Sequence, residues 1–199
     1  MVLAVGLLQF WSGWRKQSIG EAGAKFGFRR LTDGGALPVV LVPLIDRPNR
    51  TYFLILRGTL QGHEVTFFDL YCTSGSSWDY QSTVLMKNPG VAMPKFQLRA
   101  TQWSQAYQRT CGDALGVEGR DKEMSSLRLS ADDPAWARRI FSMPSPEFFQ
   151  KVLDGKWTIE GLQHSLVIYR WGMRIPPRKL QEYVQQAADL AAEVFSLCG

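Results

Sequence analysis

The two histidines of the chain, His63 and His164, are the residues whose type offers the widest range of chemistry. A catalytic triad or a metal site that uses histidine has to include one of them. Both stand beside predicted hairpin turns, and Glu64 directly follows His63. Adjacent side chains of a strand point to opposite faces, so His63 and Glu64 cannot act together on one substrate. We therefore interpret both histidines as structural.

The sequence lacks the motifs that hold common cofactors. It contains no glycine loop ending in Gly-Lys-Ser/Thr, no G-x-G-x-x-G after a strand, and no H-E-x-x-H or G-x-S-x-G. Cys72, Cys111 and Cys198 are odd in number and widely spaced, which argues against a disulfide scaffold and a structural zinc site. We predict no metal and no cofactor, interpret the three cysteines as small buried residues, and favour a reducing compartment.

A loop of residues 72–80, reading CTSGSSWDY, is the best alternative for an enzyme site. Cysteine phosphatases place an arginine six residues after the cysteine, but Trp78 stands at that position here. An enzyme at this loop would need an exposed Cys72 with a lowered pKa. Trp78 and Tyr80 are candidates for contact with a partner, with the alternative that Trp78 folds back on the sheet.

Carboxylates offer a further route to acid–base chemistry. Asp69, Asp79 and Glu160 are candidates for a pair of this kind. Nothing in their spacing brings any two of them together, so the sequence leans against an enzyme.

Cations cluster immediately after an apolar start, with Glu21 as the single acidic residue among them. The group consists of Arg15, Lys16, Lys25, Arg29 and Arg30. The whole chain of 199 residues carries a formal net charge of +5, a mild basic excess that permits contact with nucleic acid or lipid without requiring either. A cation near an anionic lipid surface contributes about 1 kcal/mol to binding. We predict that these five residues form a lipid- or anion-binding group.

The apolar start, MVLAVGLLQFWSGW, allows several interpretations. It is not a secretion signal, because its positive charges follow the apolar run instead of preceding it. Trp11 and Trp14 next to Arg15 are typical of the point where a helix leaves a membrane, but about fourteen residues are fewer than the ~20 that a spanning helix needs. Helical spacing places four apolar residues on one face: Leu3, Leu7, Phe10 and Trp14. A core or docking helix and a truncated or peripheral anchor both remain open.

The middle of the chain is dominated by strand patterns. TYFLILRGTL, HEVTFFDLYC and DYQSTVLMKN alternate with a period of about two and are rich in β-branched and aromatic residues. With PKFQLRAT as a fourth strand, they predict an antiparallel meander with one buried face. A short strand, SLRLS, follows later in the chain.

The last third of the chain carries clear helix signals. Asp133 before Pro134 and Ser145 before Pro146 predict the starts of two short helices. A β-hairpin is predicted in KWTIEGLQHSLVIYRW, followed by a long amphipathic helix. The apolar stripe of that helix comprises Leu180, Val184, Ala187, Ala191, Val194 and Cys198. The predicted fold is α+β, with a helical segment at residues 1–30 and a single α+β domain at residues 31–199.

Several stretches resemble an uncharacterised bacterial protein family of unknown function. They are WRKQSIGEAGAKFGF, LRGTLQGHEVTFFDLY with STV, MPKFQLR, RRIF and LVIYRWGMRIPPRKLQEYV. The resemblance implies transmembrane helices just before a basic segment, followed by a cytoplasmic α+β domain. By this resemblance, residues 1–14 are similar to the end of such a helix. The loop SGSSW lacks the basic residues usual in the family, and the family implies no catalytic residues.

Three functions follow as hypotheses. The first is a non-enzymatic binding or scaffold domain at the cytoplasmic face of a membrane, with anionic lipid or another membrane protein as its partner. The second is an enzyme of unrecognised class at residues 72–80. The third is a soluble nucleic-acid-binding protein, which rests only on the basic charge and on aromatics such as Phe96 and Trp103 and is not expected. We predict a protein that is cytoplasmic or at the cytoplasmic side of the membrane, and not secreted.

Overall fold

The computed structural model describes the backbone of residues 2–31, 50–74, 77–100 and 127–199, with side chains at 13–31, 54–70, 80–100 and 127–199. Its strands are β1 (Arg29–Leu31), β2 (Arg50–Leu60), β3 (His63–Ser74), β4 (Ser77–Lys87), β5 (Met93–Ala100), β6 (Leu127–Ala131), β7 (Thr158–Gln163) and β8 (Ser165–Tyr169). Its helices are α1 (Val2–Ala24), α2 (Pro134–Phe141), α3 (Pro146–Asp154) and α4 (Leu180–Cys198), with a 3-10 turn at Pro177–Lys179. The described residues confirm the α+β class.

The eight described strands form one antiparallel sheet in the order β1-β2-β3-β4-β8-β7-β5-β6. The prediction that PKFQLRAT would follow β4 in a meander was therefore wrong, because the β7–β8 hairpin lies between β4 and β5. The reason is burial. All five residues of β8, SLVIY, are buried, and such a continuous apolar run is most stable at the centre of a sheet.

The helices pack on one face of the sheet, and the main core lies between them. Val65 and Phe67 of β3 face this core, together with Ile19 of α1 and Val184 of α4. The prediction of one buried face was incomplete. The opposite face of the sheet holds a second cluster of buried residues, which comprises Phe68, Leu70, Leu85, Val167 and Tyr169.

The helix starts agree with the sequence signals. Asp133 Oδ1 accepts a hydrogen bond from the backbone N–H of Trp136 at 3.0 Å, and Ser145 Oγ accepts one from that of Phe148. Proline occupies the first turn of both α2 and α3. In α4, the predicted apolar stripe is buried from Leu180 to Val194, whereas Cys198 is half-buried. These local patterns therefore predicted the helices correctly.

Helix α1 packs through a narrow stripe. Arg15, Ile19 and Gly23 are buried at intervals of four residues, as expected for one side of a helix. A Cβ atom at Gly23 would lie 2.6 Å from Cδ1 of Leu56, so the approach of α1 to β2 requires glycine here. Among the described residues, no helix is both long and apolar enough to cross a membrane.

Candidate functional site

A buried polar cluster lies where the Arg15 side chain of α1 reaches β3 and β4. Asp69 in β3 stands directly opposite Ser82 in β4, and both side chains are fully buried. Alternation along β3 fixes the direction of Asp69, because Phe67 two residues earlier faces the main core. A carboxylate at such a position needs a cation and hydrogen-bond donors, since an unpaired buried charge is strongly unfavourable.

Arg15 of α1 supplies that cation. Its Nε donates to Asp69 Oδ2 at 2.8 Å, its second nitrogen donates to the carbonyl oxygen of Ile175 at 2.7 Å, and its third donates to Ser82 Oγ at 3.4 Å. The residue is only 7% exposed. Arg15 was predicted to bind lipid, and the structure corrects this, because its guanidinium is buried and already bonded within the domain.

Ser82 connects four parts of the chain. Its hydroxyl donates to Asp69 Oδ1 at 2.6 Å and accepts from the backbone N–H of Ile175 at 3.0 Å. Its backbone N–H donates to the carbonyl of Met173 at 2.9 Å, and its own carbonyl accepts from the Tyr183 hydroxyl at 2.8 Å. Burial raises the pKa of Tyr183. The serine therefore holds β3, β4, α4 and the connection after β8 in fixed positions.

Arg174 brings a second cation to Asp69, from the outside of the cluster. Its Nε lies 3.6 Å from Asp69 Oδ2, and 31% of its side chain is exposed. Its guanidinium carbon lies 4.7 Å from the centre of the Tyr80 ring, which is a cation–π contact. Burial, followed by the charge of Arg15, lowers the pKa of Arg174. Tyr80, a predicted partner-binding residue, is 37% exposed and thus open to contact.

Helix α1 points toward the end of the sheet where β3 ends and β4 begins, which we call the hairpin end. Gly23 lies against Leu56, which pairs with Phe67, whereas Arg15 contacts Asp69, closer to the tip of the β3–β4 hairpin. Going from Gly23 to Arg15 along α1 therefore leads from β2 to β3 and β4 and, at the same time, toward the tip. The helix continues to Val2, so its first turns extend about 20 Å along the helix axis beyond Arg15.

The other predicted cations lie elsewhere. Lys25 follows α1 and is exposed, about 16 Å further from the hairpin end along the helix axis than Trp14. Arg29 and Arg30 are exposed on β1, and Arg29 stands opposite Arg57 of β2. Lys16 is partly exposed beside Arg15. The structure thus does not bring the five predicted cations together into one group.

The remaining candidates for chemistry are occupied by structural contacts or lie outside the described residues. His164 Nδ1 lies 2.7 Å from the carbonyl oxygen of Val91, and the His63 ring packs on Phe195. Within the described part of the chain, no three His, Cys, Asp or Glu side chains are placed to hold a metal ion. The side chains of Cys72, Trp78 and Asp79, and residues Trp103 and Cys111, lie outside the described residues. Burial raises the pKa of the Cys198 thiol to about 11.

Asp69 and Glu160, two of the three candidate carboxylates for acid–base chemistry, do not lie together. Glu160 belongs to the opposite face of the sheet, where it accepts hydrogen bonds of 2.6 Å from Gln97 and from the Tyr169 hydroxyl. Phe96, suggested as a base-stacking residue, is 2% exposed and packs on Phe141 inside the core. Burial of Phe96 corrects its suggested role in nucleic-acid binding.

Sequence reasoning missed the polar cluster because its members are far apart in the chain. The one available signal was the inward position of Asp69 in the alternating strand HEVTFFDLYC. An aspartate in a row of core-facing positions indicates a buried cation. The sequence did not indicate which of the basic residues fills this role.

Comparisons with known proteins show the fold and no more. No family model matches the chain, and no curated protein matches it. Among solved structures, it is similar to the crystal structure of the mycobacterial trehalose monomycolate transport factor A, TtfA. The TM-score is 0.64 over 92% of this chain and 93% of that one, at 10% sequence identity. The described α+β architecture therefore has a counterpart over nearly its whole length.

Proposed function

We propose that the chain is a non-enzymatic binding or scaffold domain that works at the cytoplasmic face of a membrane, held there by residues 1–14. The observation that carries this proposal is the buried bond between Arg15 and Asp69. It fixes the helix that begins in the apolar segment to the centre of the sheet. Whatever the apolar segment binds is thereby held in a defined orientation to the whole domain.

The chemistry of the cluster supports a structural role over a catalytic one. Asp69 and Ser82 are fully buried, and their side-chain oxygens bind Arg15, each other and the backbone of Ile175. A nucleophile or a general base must reach a substrate, and these groups are closed to solvent. The similar structure is also named as a transport factor and not as an enzyme, which supports a scaffold role for this fold.

The test is flotation of the full chain with vesicles of phosphatidylcholine and phosphatidylglycerol. We compare it with a variant that carries Leu3→Gln, Leu7→Gln and Phe10→Gln, on the helix face that also carries Trp14. We expect the unchanged chain to float with the vesicles and the variant to remain in the soluble fraction. Thermal unfolding of both proteins shows whether the domain is intact.

The outcomes separate the possible partners. Equal recovery of both proteins in the soluble fraction contradicts the proposal that residues 1–14 bind lipid. Binding to whole cell membranes without binding to protein-free vesicles identifies another membrane protein as the partner.

A further inference from the structure

Large apolar side chains are exposed mainly at the hairpin end of the sheet. Among the described residues, those that are more than a third exposed are Trp14 (53%), Tyr80 (37%), Met143 (56%) and Met173 (39%). Three of the four adjoin the buried polar cluster. Trp14 precedes Arg15, Tyr80 lies under Arg174, and the carbonyl of Met173 accepts the N–H of Ser82. Met143 follows α2. This helix packs against β6, the strand at the opposite edge of the sheet.

We propose that Trp14, Tyr80, Met173 and Arg174 form a surface, the hairpin-end patch, that contacts the boundary between lipid headgroups and hydrocarbon. The inference rests on the proposed function and deepens it by naming the part of the domain that meets the membrane. The occupant is a phospholipid bilayer.

The chemistry of the patch matches this boundary. Tryptophan and tyrosine are enriched where membranes meet water, because their rings are apolar and each carries one polar group. The guanidinium of Arg174 lies over the Tyr80 ring, and its Nε faces Asp69, while 31% of the side chain is exposed and leaves a positive charge at the edge of the patch. Met173 adds a flexible apolar side chain of the kind that adapts to an irregular surface.

The position of the patch gives a second, independent reason. Helix α1 leaves the domain toward the hairpin end, so the apolar residues before Ser12 extend from the same end as the patch. A domain whose apolar helix enters lipid meets the membrane surface with the side chains at that end. Lys25, Arg29 and Arg30 lie away from it and are predicted to stay in water.

The backbone beneath the patch is also held in place by hydrogen bonds. Ser82 binds the backbone at Met173 and at Ile175, on both sides of Arg174, and Arg15 binds the carbonyl of Ile175. The backbone at residues 173–175 therefore needs little further ordering when the patch meets a surface. A low ordering cost favours binding at a given contact area.

The test compares vesicle partition of the full chain with that of Tyr80→Ser/Met173→Ser. Removing two interfacial side chains lowers the partition coefficient about tenfold, which corresponds to ~1.4 kcal/mol for the two together. The matched control is Met143→Ser, which removes a still more exposed methionine near the opposite edge of the sheet. A second control changes Lys25, Arg29 and Arg30 to glutamine. Both controls are expected to partition like the unchanged chain.

The outcomes distinguish the inference from the proposed function. Undiminished partition of the double variant, with the unchanged chain bound, overturns the patch and leaves the membrane role intact. An equal loss in the Met143→Ser control also overturns it. If the unchanged chain does not bind vesicles, both proposals fail.

A loss of vesicle binding has to be distinguished from a loss of folding, and a second variant serves this purpose. Tyr80→Ser removes the ring beneath Arg174, so unfolding midpoints are compared first. Trp14→Gln changes a side chain that is 53% exposed, where the patch adjoins the apolar segment. Partition of Trp14→Gln equal to that of the unchanged chain contradicts the proposal.

Discussion

Arg15 and Asp69 are separated by 54 positions in the chain, yet their side chains meet at 2.8 Å in the interior. The pair joins a helix with an apolar beginning to the centre of an eight-stranded sheet. A buried ion pair adds little net stability compared with apolar residues of the same size, because both charges lose water. Its main effect here is to set where α1 lies.

Removal of one partner leaves the other charge buried. We expect Arg15→Met to lower the free energy of unfolding by about 3 kcal/mol, the lower end of the usual range, since Arg174 still faces Asp69 at 3.6 Å. Urea denaturation measures this change. Lys16→Met is the matched control at a partly exposed neighbour and should change stability by less than about 0.5 kcal/mol. A similar small loss for Arg15→Met is incompatible with a buried charged pair.

Ser82→Ala removes the hydroxyl that donates a hydrogen bond to Asp69 and accepts one from the backbone N–H of Ile175. We expect a loss of about 2 kcal/mol, because a carboxylate oxygen and a backbone N–H lose a buried partner. Hydrogen exchange at the Ile175 amide should become faster in the variant. Ser130→Ala, on edge strand β6, is the control and should leave that exchange rate unchanged. Unchanged protection of Ile175 in Ser82→Ala contradicts the described hydrogen bond.

Tyr183 predicts a loss of stability in alkaline solution. Burial raises its folded-state pKa above the unfolded value of about 10, so the unfolded chain releases the proton first. The contribution of the neutral phenol is complete below pH ~10 and decreases progressively as the pH rises from there toward the raised pKa of the folded state. Urea titrations between pH 8 and pH 11 measure it. Cys198 shifts in the same direction, and Cys198→Ser in every sample removes its contribution.

Tyr183→Phe is the comparison for that pH series. At pH 8 it should be about 1 kcal/mol less stable, because the hydrogen bond to the Ser82 carbonyl is lost. Between pH 8 and pH 11 its stability should fall less than that of the tyrosine protein, so the two values converge. Parallel curves across this range count against burial of an ionisable phenol.

Two glycines in α1 test how tightly the helix approaches the sheet. A Cβ atom at Gly20 would lie 3.8 Å from Arg30 Cδ, an ordinary contact, whereas one at Gly23 would lie 2.6 Å from Leu56 Cδ1. Gly20→Ala should therefore stabilise the protein by about 0.5–1 kcal/mol through helix propensity. Gly23→Ala should destabilise it by about 1 kcal/mol or more, because Leu56 is fully buried and must move. Equal gains from both variants are inconsistent with the close packing.

Local signals explain the parts of the fold that the sequence predicts. A cap such as Asp133 acts within three residues, and the apolar stripe of α4 repeats within one helix. Neither depends on the rest of the chain. The place of β5 depends on the competition between strands for the centre of the sheet, which no local pattern records.

The role of Arg15 illustrates the limit for the candidate site. An arginine after an apolar run has the same local pattern whether it meets lipid phosphate or a buried carboxylate. The distinction depends on Asp69, which is far away in the chain. Tyr80, by contrast, is 37% exposed near the start of its strand, and its role in contact with a partner stays a prediction.

The location of the β7–β8 hairpin sets an order of assembly. Strands β1–β4 form one group and strands β5–β6 form another. Only the β7–β8 hairpin joins the two groups, because β8 pairs with β4 and β7 pairs with β5. During synthesis the chain therefore cannot complete its sheet before about residue 169 has left the ribosome. The apolar start of α1 emerges long before Ile175 and Tyr183 are available to fix it. This segment is therefore synthesised well before the sheet that fixes its helix can be completed.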